Sequence, residues 1–333
     1  MLLLLKKFIA FLLSVVLSST AAANVTTGTE PFTAKDPANA RLVFSVISDV
    51  HVMGQYFRRD ELAAALYDMQ QAPTRQDAVV LCGDNTNHGY REQYEELKDV
   101  FGKYDPADNK ILVIGNHDTW SKDTDGNDDP ELVRELFTQY TKEICGRDID
   151  NVYFSMTVKG FHIIALGSEG THTYATFSDT QLDWLAREMA AAAEDGKPIF
   201  VFSHWPINGT HGLPYTWEQE PSDDPELGGI GPESDRVVAI LSQYRNVFFI
   251  SGHIHGGLSS DVSEELTQYN TTEEVNGIHC INMPIFSTPS SRGRITPGAG
   301  FVFETYDDHV LLRARNFLTG TWLPQYDVTY PLY

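Results

Sequence analysis

Five short stretches of this chain carry the residue types that hold metal ions. They are ISDVH, with Asp49 and His51; LCGDN, with Asp84; VIGNHD, with Asn116, His117 and Asp118; FVFSHW, with His204; and FFISGHIHGGL, with His253 and His255. Their oxygen and nitrogen donors come without a thiolate, so the set suits Mn, Fe, Zn, Co or Ni rather than a soft copper site. In the last stretch two histidines one residue apart follow an apolar run. If the run continues as a strand, His253 and His255 point to one side with Cα atoms roughly 6.5–7 Å apart, which suits two ions better than one. The surrounding glycines permit a sharp turn and the close approach of a ligand. Read singly, each stretch has a plain alternative, a strand-ending turn with a solvated imidazole. Chance occurrence of all five together is far rarer.

What these residues can build depends on the elements that carry them. Short apolar runs recur at LVFSVI (42–47), AVVLC (78–82), ILVI (111–114), VYFSMTV (152–158), FHIIAL (161–166), IFVFS (199–203), VFFI (247–250), FVFET (301–305) and HVLLRA (309–314). Several are β-branched or aromatic throughout, as strands buried on both faces are. Helical patterns lie between them near 59–70, 91–103, 130–144, 179–194 and 234–243. Asp129 before Pro130 predicts an N-cap, and Ser178 with Gln181 predicts a capping box. The alternation gives an α/β layered fold, and the hairpin-like pairs at 152–166 and 301–314 add antiparallel strands. In such folds sites form beyond the carboxyl ends of strands, so five strand ends would converge on one place. The stretch from Trp205 to Glu233 has no sustained periodicity and reads as a lid or wall of that site.

The order D-x-H, GD, GNHD, a lone H and then GHxH resembles the calcineurin-like metallophosphoesterase superfamily, from Arg41 to about Arg315. The resemblance implies a four-layer α/β/β/α sandwich with two mixed β-sheets and a dinuclear metal site at the strand C-terminal ends. It also implies that Asp49, His51 and His255 hold one ion, that Asn116, His204 and His253 hold the other, and that Asp84 bridges them. His117 would act on the leaving group. General chemistry agrees. Two divalent ions about 3.5–4 Å apart share a carboxylate and a water whose pKa falls toward neutrality, and both draw charge from phosphate oxygens. An imidazole of near-neutral pKa is suited to protonate the departing alkoxide, although His117 could instead serve only as a hydrogen-bonding residue. Asn87 departs from the family. Many relatives carry there an Asp that pairs with the motif histidine, and purple acid phosphatases a metal-ligating Tyr. A purple iron chromophore is therefore not expected, while Asn87 could orient His117 by a neutral hydrogen bond and Asp118 could assist the imidazole. His88, His172 and His211 lie on loops that could overhang the metals, whereas His162 within FHIIAL reads as a core histidine.

The first 23 residues pair two lysines with a ten-residue apolar stretch and the small residues SSTAAA, the pattern of a signal peptide cleaved after Ala23. That apolar run is shorter than the roughly 20 residues that span a bilayer. The expected organisation is a signal peptide (1–23), a linker (24–40) and one domain (41–333), secreted or periplasmic, with no membrane span after cleavage. Formal net charge is −22, and loss of Lys6 and Lys7 with the signal makes it −24. Such a field repels polyanions, and the sequence shows no basic or aromatic-stacking stripe, which opposes a nuclease. Cys82, Cys145 and Cys280 allow at most one disulfide and lack metal-ligand spacing. The expected activity is that of an exported dinuclear-metal phosphoesterase hydrolysing a small phosphate monoester or diester by metal-bound hydroxide. The narrower alternative is a cyclic-nucleotide or phospholipid-type phosphodiesterase. The alternative from another class is a catalytically silent metal-holding scaffold.

Overall fold

Alternating residues along most of the strands face two different apolar layers, and the chain satisfies both by packing two sheets back to back with helices outside. The computed structural model describes residues 30–54, 56–122, 125–170, 175–216, 224–258, 269–287 and 297–333. In chain order the first elements are β1 (Leu42–Ile47), α1 (Tyr56–Gln70), β2 (Gln76–Cys82), α2 (Arg91–Phe101), β3 (Ala107–Val113) and α3 (Pro130–Cys145). The next are β4 (Phe154–Val158), β5 (Phe161–Ala165), α4 (Asp179–Ala193), β6 (Ile199–Phe202), α5 (Ser234–Leu241) and β7 (Val247–Ser251). The last are β8 (Thr272–Val275), β9 (Ile278–Asn282), β10 (Ala299–Thr305), β11 (His309–Asn316), β12 (Thr321–Trp322) and β13 (Val328–Pro331).

One sheet runs β12-β11-β10-β1-β2-β3, with β13 also on β11, and the other runs β4-β5-β6-β7-β9-β8. β1, β2 and β3 are parallel, as are β5, β6, β7 and β9, and the remaining pairings are antiparallel, so both sheets are mixed. Phe44, Val46, Val80 and Val113 face Phe200, Phe202, Phe248 and Ile250 in the core between the sheets. There Phe44 stacks on Phe303 with centroids 4.7 Å apart and meets Phe200 edge-on at 5.0 Å. The opposite faces bury Val79, Leu81 and Leu112 under α1, α2 and α3, and Val201, Val247 and Phe249 under α4 and α5. This is the expected four-layer sandwich.

The nine expected strands and five expected helices are all present, with ends shifted by a few residues. The sequence reading missed β8, β9, β12 and β13. β9 matters most because it pairs parallel to β7 inside the sheet. Its signal was Asn276-Gly277, with φ of 50° and 80°, a dipeptide suited to a two-residue hairpin turn joining β8 to β9. Asp129 caps α3 as expected, accepting from the N–H groups of Glu131 and Leu132. The α4 capping box needs correction. Ser178 Oγ accepts from the Gln181 N–H, but the Gln181 amide turns inward to Gly167, and Glu169 takes the Ser178 N–H instead. The described part of 205–233 is packed at its base, where Asn208 exchanges two hydrogen bonds with Gly231 at 2.8 and 2.9 Å. Trp205, Ile207 and Ile230 are buried there. Among the described residues no helix is long and apolar enough to cross a membrane.

A buried cationic stack fixes α1, the helix that follows His51. The Arg315 guanidinium, 1% exposed, meets both Asp68 carboxylate oxygens at 2.7 and 2.8 Å and lies 4.8 Å from the Phe32 ring centroid. Arg313 covers Trp322 from 3.6 Å. Removing Arg315 leaves Asp68 without its partner, and a broken buried pair costs about 3 kcal/mol. Arg315→Ala is expected to lower the unfolding free energy by about that amount in urea titrations; a change under about 0.5 kcal/mol would make the stack dispensable.

Candidate metal centre

The five stretches lie beyond the carboxyl ends of β1, β2, β3, β6 and β7, so donors from both sheets meet at one edge of the sandwich. Main-chain bonds stitch the strand ends together. The Asp49 N–H donates to Gly83 O at 3.1 Å, the His51 N–H to Asp84 O at 2.8 Å and the Gly252 N–H to His204 O at 2.9 Å. Asp49, His51, Asp84, His253 and His255 all have positive φ, between 46° and 73°. Each such non-glycine residue costs on the order of 1–3 kcal/mol, and strain of this kind clusters at functional sites. The expectation that His253 and His255 continue a strand is therefore corrected. β7 ends at Ser251, and two left-handed residues, not period-two alternation, aim the rings. Gly115 permits a close approach, since a Cβ there would lie 2.1 Å from Asp84 N and 2.2 Å from Asp84 Oδ1.

The donors form two groups that share Asp84. In the first, His51 Nε2 and His255 Nε2 are 3.1 Å apart, His255 Nε2 is 3.4 Å from Asp49 Oδ1, and His51 Nε2 is 3.6 Å from Asp84 Oδ2. One ligand atom from each of these four residues lies within 4.8 Å of the others. In the second, His253 Nδ1 is 2.8 Å from Asn116 Oδ1, and His204 Nε2 is 3.3 Å from Asp84 Oδ2. Two donors bound side by side to one ion at bonds of about 2.1 Å stand about 3 Å apart, so this spacing is what shared coordination requires. Orphaned atoms support the same fit. Asp49 Oδ2, Asp84 Oδ2 and His204 Nε2 are buried without a hydrogen-bond partner, which protein interiors rarely tolerate. The seven residues fit a pair of divalent cations.

Electrostatics prepare the donors for that charge. Burial alone would raise the Asp84 carboxyl, but His204 and His117 outweigh it and hold it well below the usual range. Asp49 is lowered likewise, with burial opposed by His204 and His255. Burial pushes His51 down to about 3, so it presents a neutral imidazole, the ligating form. At His204, burial is overcome by Asp84 and Asp49, and the ring is raised to about 9. A proton there provides positive charge that a metal ion would otherwise bring. His204 Nδ1–H donates to Cys82 O at 2.8 Å, which leaves Nε2 to face the carboxylates.

His117 stands beside the donors, edge-on to His51 with centroids 4.6 Å apart. Its main-chain N–H donates to Asp84 Oδ1 at 2.9 Å, and its Nδ1–H donates to the Asn87 carbonyl at 2.8 Å. A carbonyl can only accept, so this bond fixes the proton on Nδ1 and leaves Nε2 for chemistry. Asn87 thus orients the ring by a neutral hydrogen bond, as expected, through its main-chain carbonyl, while its side-chain amide lies against His88. Asp118 does not assist His117. Its carboxylate accepts from Asn85 N and Nδ2, Thr86 N and Oγ1, and Gly115 N, at 2.8 to 3.1 Å. Burial, helped by Asp84, raises it to about 6, so it is ionised at neutral pH and clamps the Asp84 loop to the Asn116 loop. His211 is buried and ties its segment to Asn270 and to Glu273 of β8. His162 is partly exposed, 3.3 Å from Asp195. His172 lies outside the described residues.

The expectation of no aromatic stripe fails here. His117, Trp120, His88 and Tyr90 form a row of ring contacts, assembled from two loops that are far apart in sequence. Only the fold brings these residues into line.

The family model described as calcineurin-like phosphoesterase matches residues 42–257. The chain is 30% identical over 220 residues to a probable cyclic nucleotide phosphodiesterase of Rhodococcus erythropolis, covering 63% of each protein. It is 27% identical over 181 residues to a glycerophosphodiester phosphodiesterase of Enterobacter lignolyticus, covering 50% of this chain and 57% of that relative. The match thus spans less than two thirds of either curated protein. Among solved structures, a dimetal phosphatase from Danio rerio superposes with a TM-score of 0.60 at 17% identity, over 89% of this chain and 100% of that one.

Metal bound by these donors stabilises the folded state by mass action. Chelation is expected to lower the melting temperature by about 5 °C or more, and added Mn to restore it. Asp84→Asn removes the shared ligand and should abolish the Mn-induced rise. Asp118→Asn sets an amide donor against clustered N–H groups and should lower stability by about 1–3 kcal/mol. Thermal unfolding with and without Mn checks all three, and an Asp84→Asn protein that still gains the full rise would contradict the donor assignment.

Proposed function

The chain belongs to the calcineurin-like phosphoesterase family, and from that membership we propose that it is a two-metal hydrolase of small phosphodiesters. The observation that carries the reading is the gathering of six oxygen and nitrogen donor residues around Asp84, with His117 fixed beside them. Asp49, His51 and His255 would hold one ion, Asn116, His204 and His253 the other, and Asp84 both. When bound, two such ions supply Lewis acidity toward phosphate oxygens and lower the pKa of water between them.

The remaining work falls to the chain. The Asp84 carboxylate, held by the His117 N–H, keeps the two donor groups in register. His117, with Nδ1–H committed to the Asn87 carbonyl, presents Nε2 to the departing oxygen; it acts as the acid from its doubly protonated form, passing the Nε2 proton to that oxygen and keeping the Nδ1–H bond as the neutral tautomer. A diester carries one negative charge where a monoester carries up to two, which favours it in a chain of net charge −22. The two relatives described above, each named a phosphodiesterase, support the same preference.

Residues 1–23 support export, with the mature enzyme starting at Asn24. N-terminal sequencing of the protein recovered outside the cytoplasm should begin there, and retention of Met1 would refute cleavage. With Mn, kcat/KM for bis(p-nitrophenyl) phosphate is expected to exceed that for p-nitrophenyl phosphate by about 10-fold or more, since the site is read as matched to a singly charged ester. A monoester preference would overturn the diester assignment, and metal content without hydrolysis of either would favour a scaffold. His117→Ala should lower kcat by about 10²-fold or more on alkyl diesters. The loss should be much smaller where p-nitrophenolate leaves, because that anion departs without a proton. Equal losses on both substrates would remove His117 as the acid.

A further inference from the structure

A run of aromatic rings leads from the donor cluster to the surface. His51 meets His117 at 4.6 Å between centroids, and His117 meets Trp120 at 5.3 Å. Trp120 meets His88 at 5.3 Å, and His88 stacks on Tyr90 at 5.3 Å with 17° between the planes. Tyr90, at the outer end, is 41% exposed, whereas Tyr94, one helical turn on, is 1% exposed and belongs to the core. His88, Tyr90 and Trp120 belong to none of the hydrophobic cores.

The row is held in place. The His88 N–H donates to Gln93 Oε1 at 2.8 Å, and the Asn87 amide nitrogen lies 3.1 and 3.2 Å from the two ring nitrogens, covering the imidazole. Ser121 Oγ donates to Gly89 O at 2.5 Å, fastening the loop that carries Trp120 to the loop that carries His88 and Tyr90. At the outer end a cavity of about 310 Å³ opens against Tyr90, Ser121 and Lys122.

We propose that Trp120 and Tyr90, with His88 packed between them as support, form a stacking ledge for the leaving group, so that the preferred phosphodiesters carry a planar ring, a nucleobase or an aryl group, on the alcohol that departs. The inference rests on the phosphodiesterase reading above. The group on the departing oxygen must extend past His117, the residue that protonates that oxygen, and Trp120 is the next ring outward from it. Stacking a base on an aromatic side chain changes affinity by about 5- to 150-fold. The ledge is a single short row, and the net charge is −22. That combination suits a mononucleotide-sized ring and opposes a long nucleic acid strand.

The test uses the Mn-loaded full chain and the variants Trp120→Leu and Tyr90→Leu. Bis(p-nitrophenyl) phosphate supplies a ring on the leaving group, and glycerophosphoethanolamine supplies none. The ratio of kcat/KM between the two should fall about 10-fold in Trp120→Leu, mainly through KM, and less in Tyr90→Leu. A ratio unchanged in both variants, because both substrates slow together or neither does, overturns the ledge. Binding keeps the test independent of turnover. By calorimetry, AMP should lose about 10-fold in affinity in Trp120→Leu relative to glycerol 3-phosphate. If the wild type hydrolyses no diester yet shows this selective loss, the phosphodiesterase reading fails and the ledge stands; without the loss, the ledge fails.

Discussion

Two carboxylates, Asp49 and Asp84, neither more than 1% exposed, are held with their ligand atoms within 4.8 Å of each other between the sheets. At that separation two like charges repel by about 3 kcal/mol even at an effective dielectric near 20. No ordinary fold keeps such a pair without compensation, and much of the surrounding structure supplies it. His204 and His255 stand against Asp49, and His51 and His204 against Asp84, with the His117 N–H on the latter. Burial disfavours a charged ring at His51, while His204 is raised to about 9 by the two carboxylates, so histidine protons compensate only in part. Divalent cations held by these residues would remove the conflict, because the same atoms would then be ligands rather than repelling partners.

Placing those atoms requires a backbone that regular structure cannot supply. β1, β2, β6 and β7 bring the chain to the site, but the ligating residues on three of those ends leave the strands in left-handed turns. Glycine makes the turns possible where two backbones meet. A side chain at position 83 would run into His204, and one at 252 into Ser48 and Asp49. The strain at the five left-handed donor residues is therefore supported by rigid neighbours, namely two buried sheets and the Asp118 clamp, rather than by the turns themselves.

How much of this was legible in the sequence follows from the physics of each part. Strands such as LVFSVI and IFVFS were readable because burial on both faces leaves an unbroken apolar run. The donors were readable because they end those runs. β9 was harder, since IHCIN is short and interrupted by His279 and Asn282, although Asn276-Gly277 marked its hairpin. The direction of Asp118 was not legible at all. It sits in a short 3-10 turn, His117–Thr119, where adjacent side chains diverge, so proximity to His117 in sequence says nothing of contact. The aromatic row escaped notice for a related reason. Its members come from two segments, 88–90 and 117–120, that only the parallel pairing of β2 and β3 brings side by side.

The choice of a main-chain carbonyl to orient His117 also bears on the crowded charge at the site. An aspartate at position 87 would add a third carboxylate near Asp49 and Asp84. The Asn87 carbonyl fixes the same tautomer without that charge, and Cys82 O does the same for His204. Because a backbone carbonyl orients each of these two rings, the side chains at 82 and 87 are released for other roles. Cys82 fills the core between the sheets, and the Asn87 amide covers His88. Asn87 thus links the two loops: the residue whose carbonyl holds His117 is the one whose side chain steadies His88.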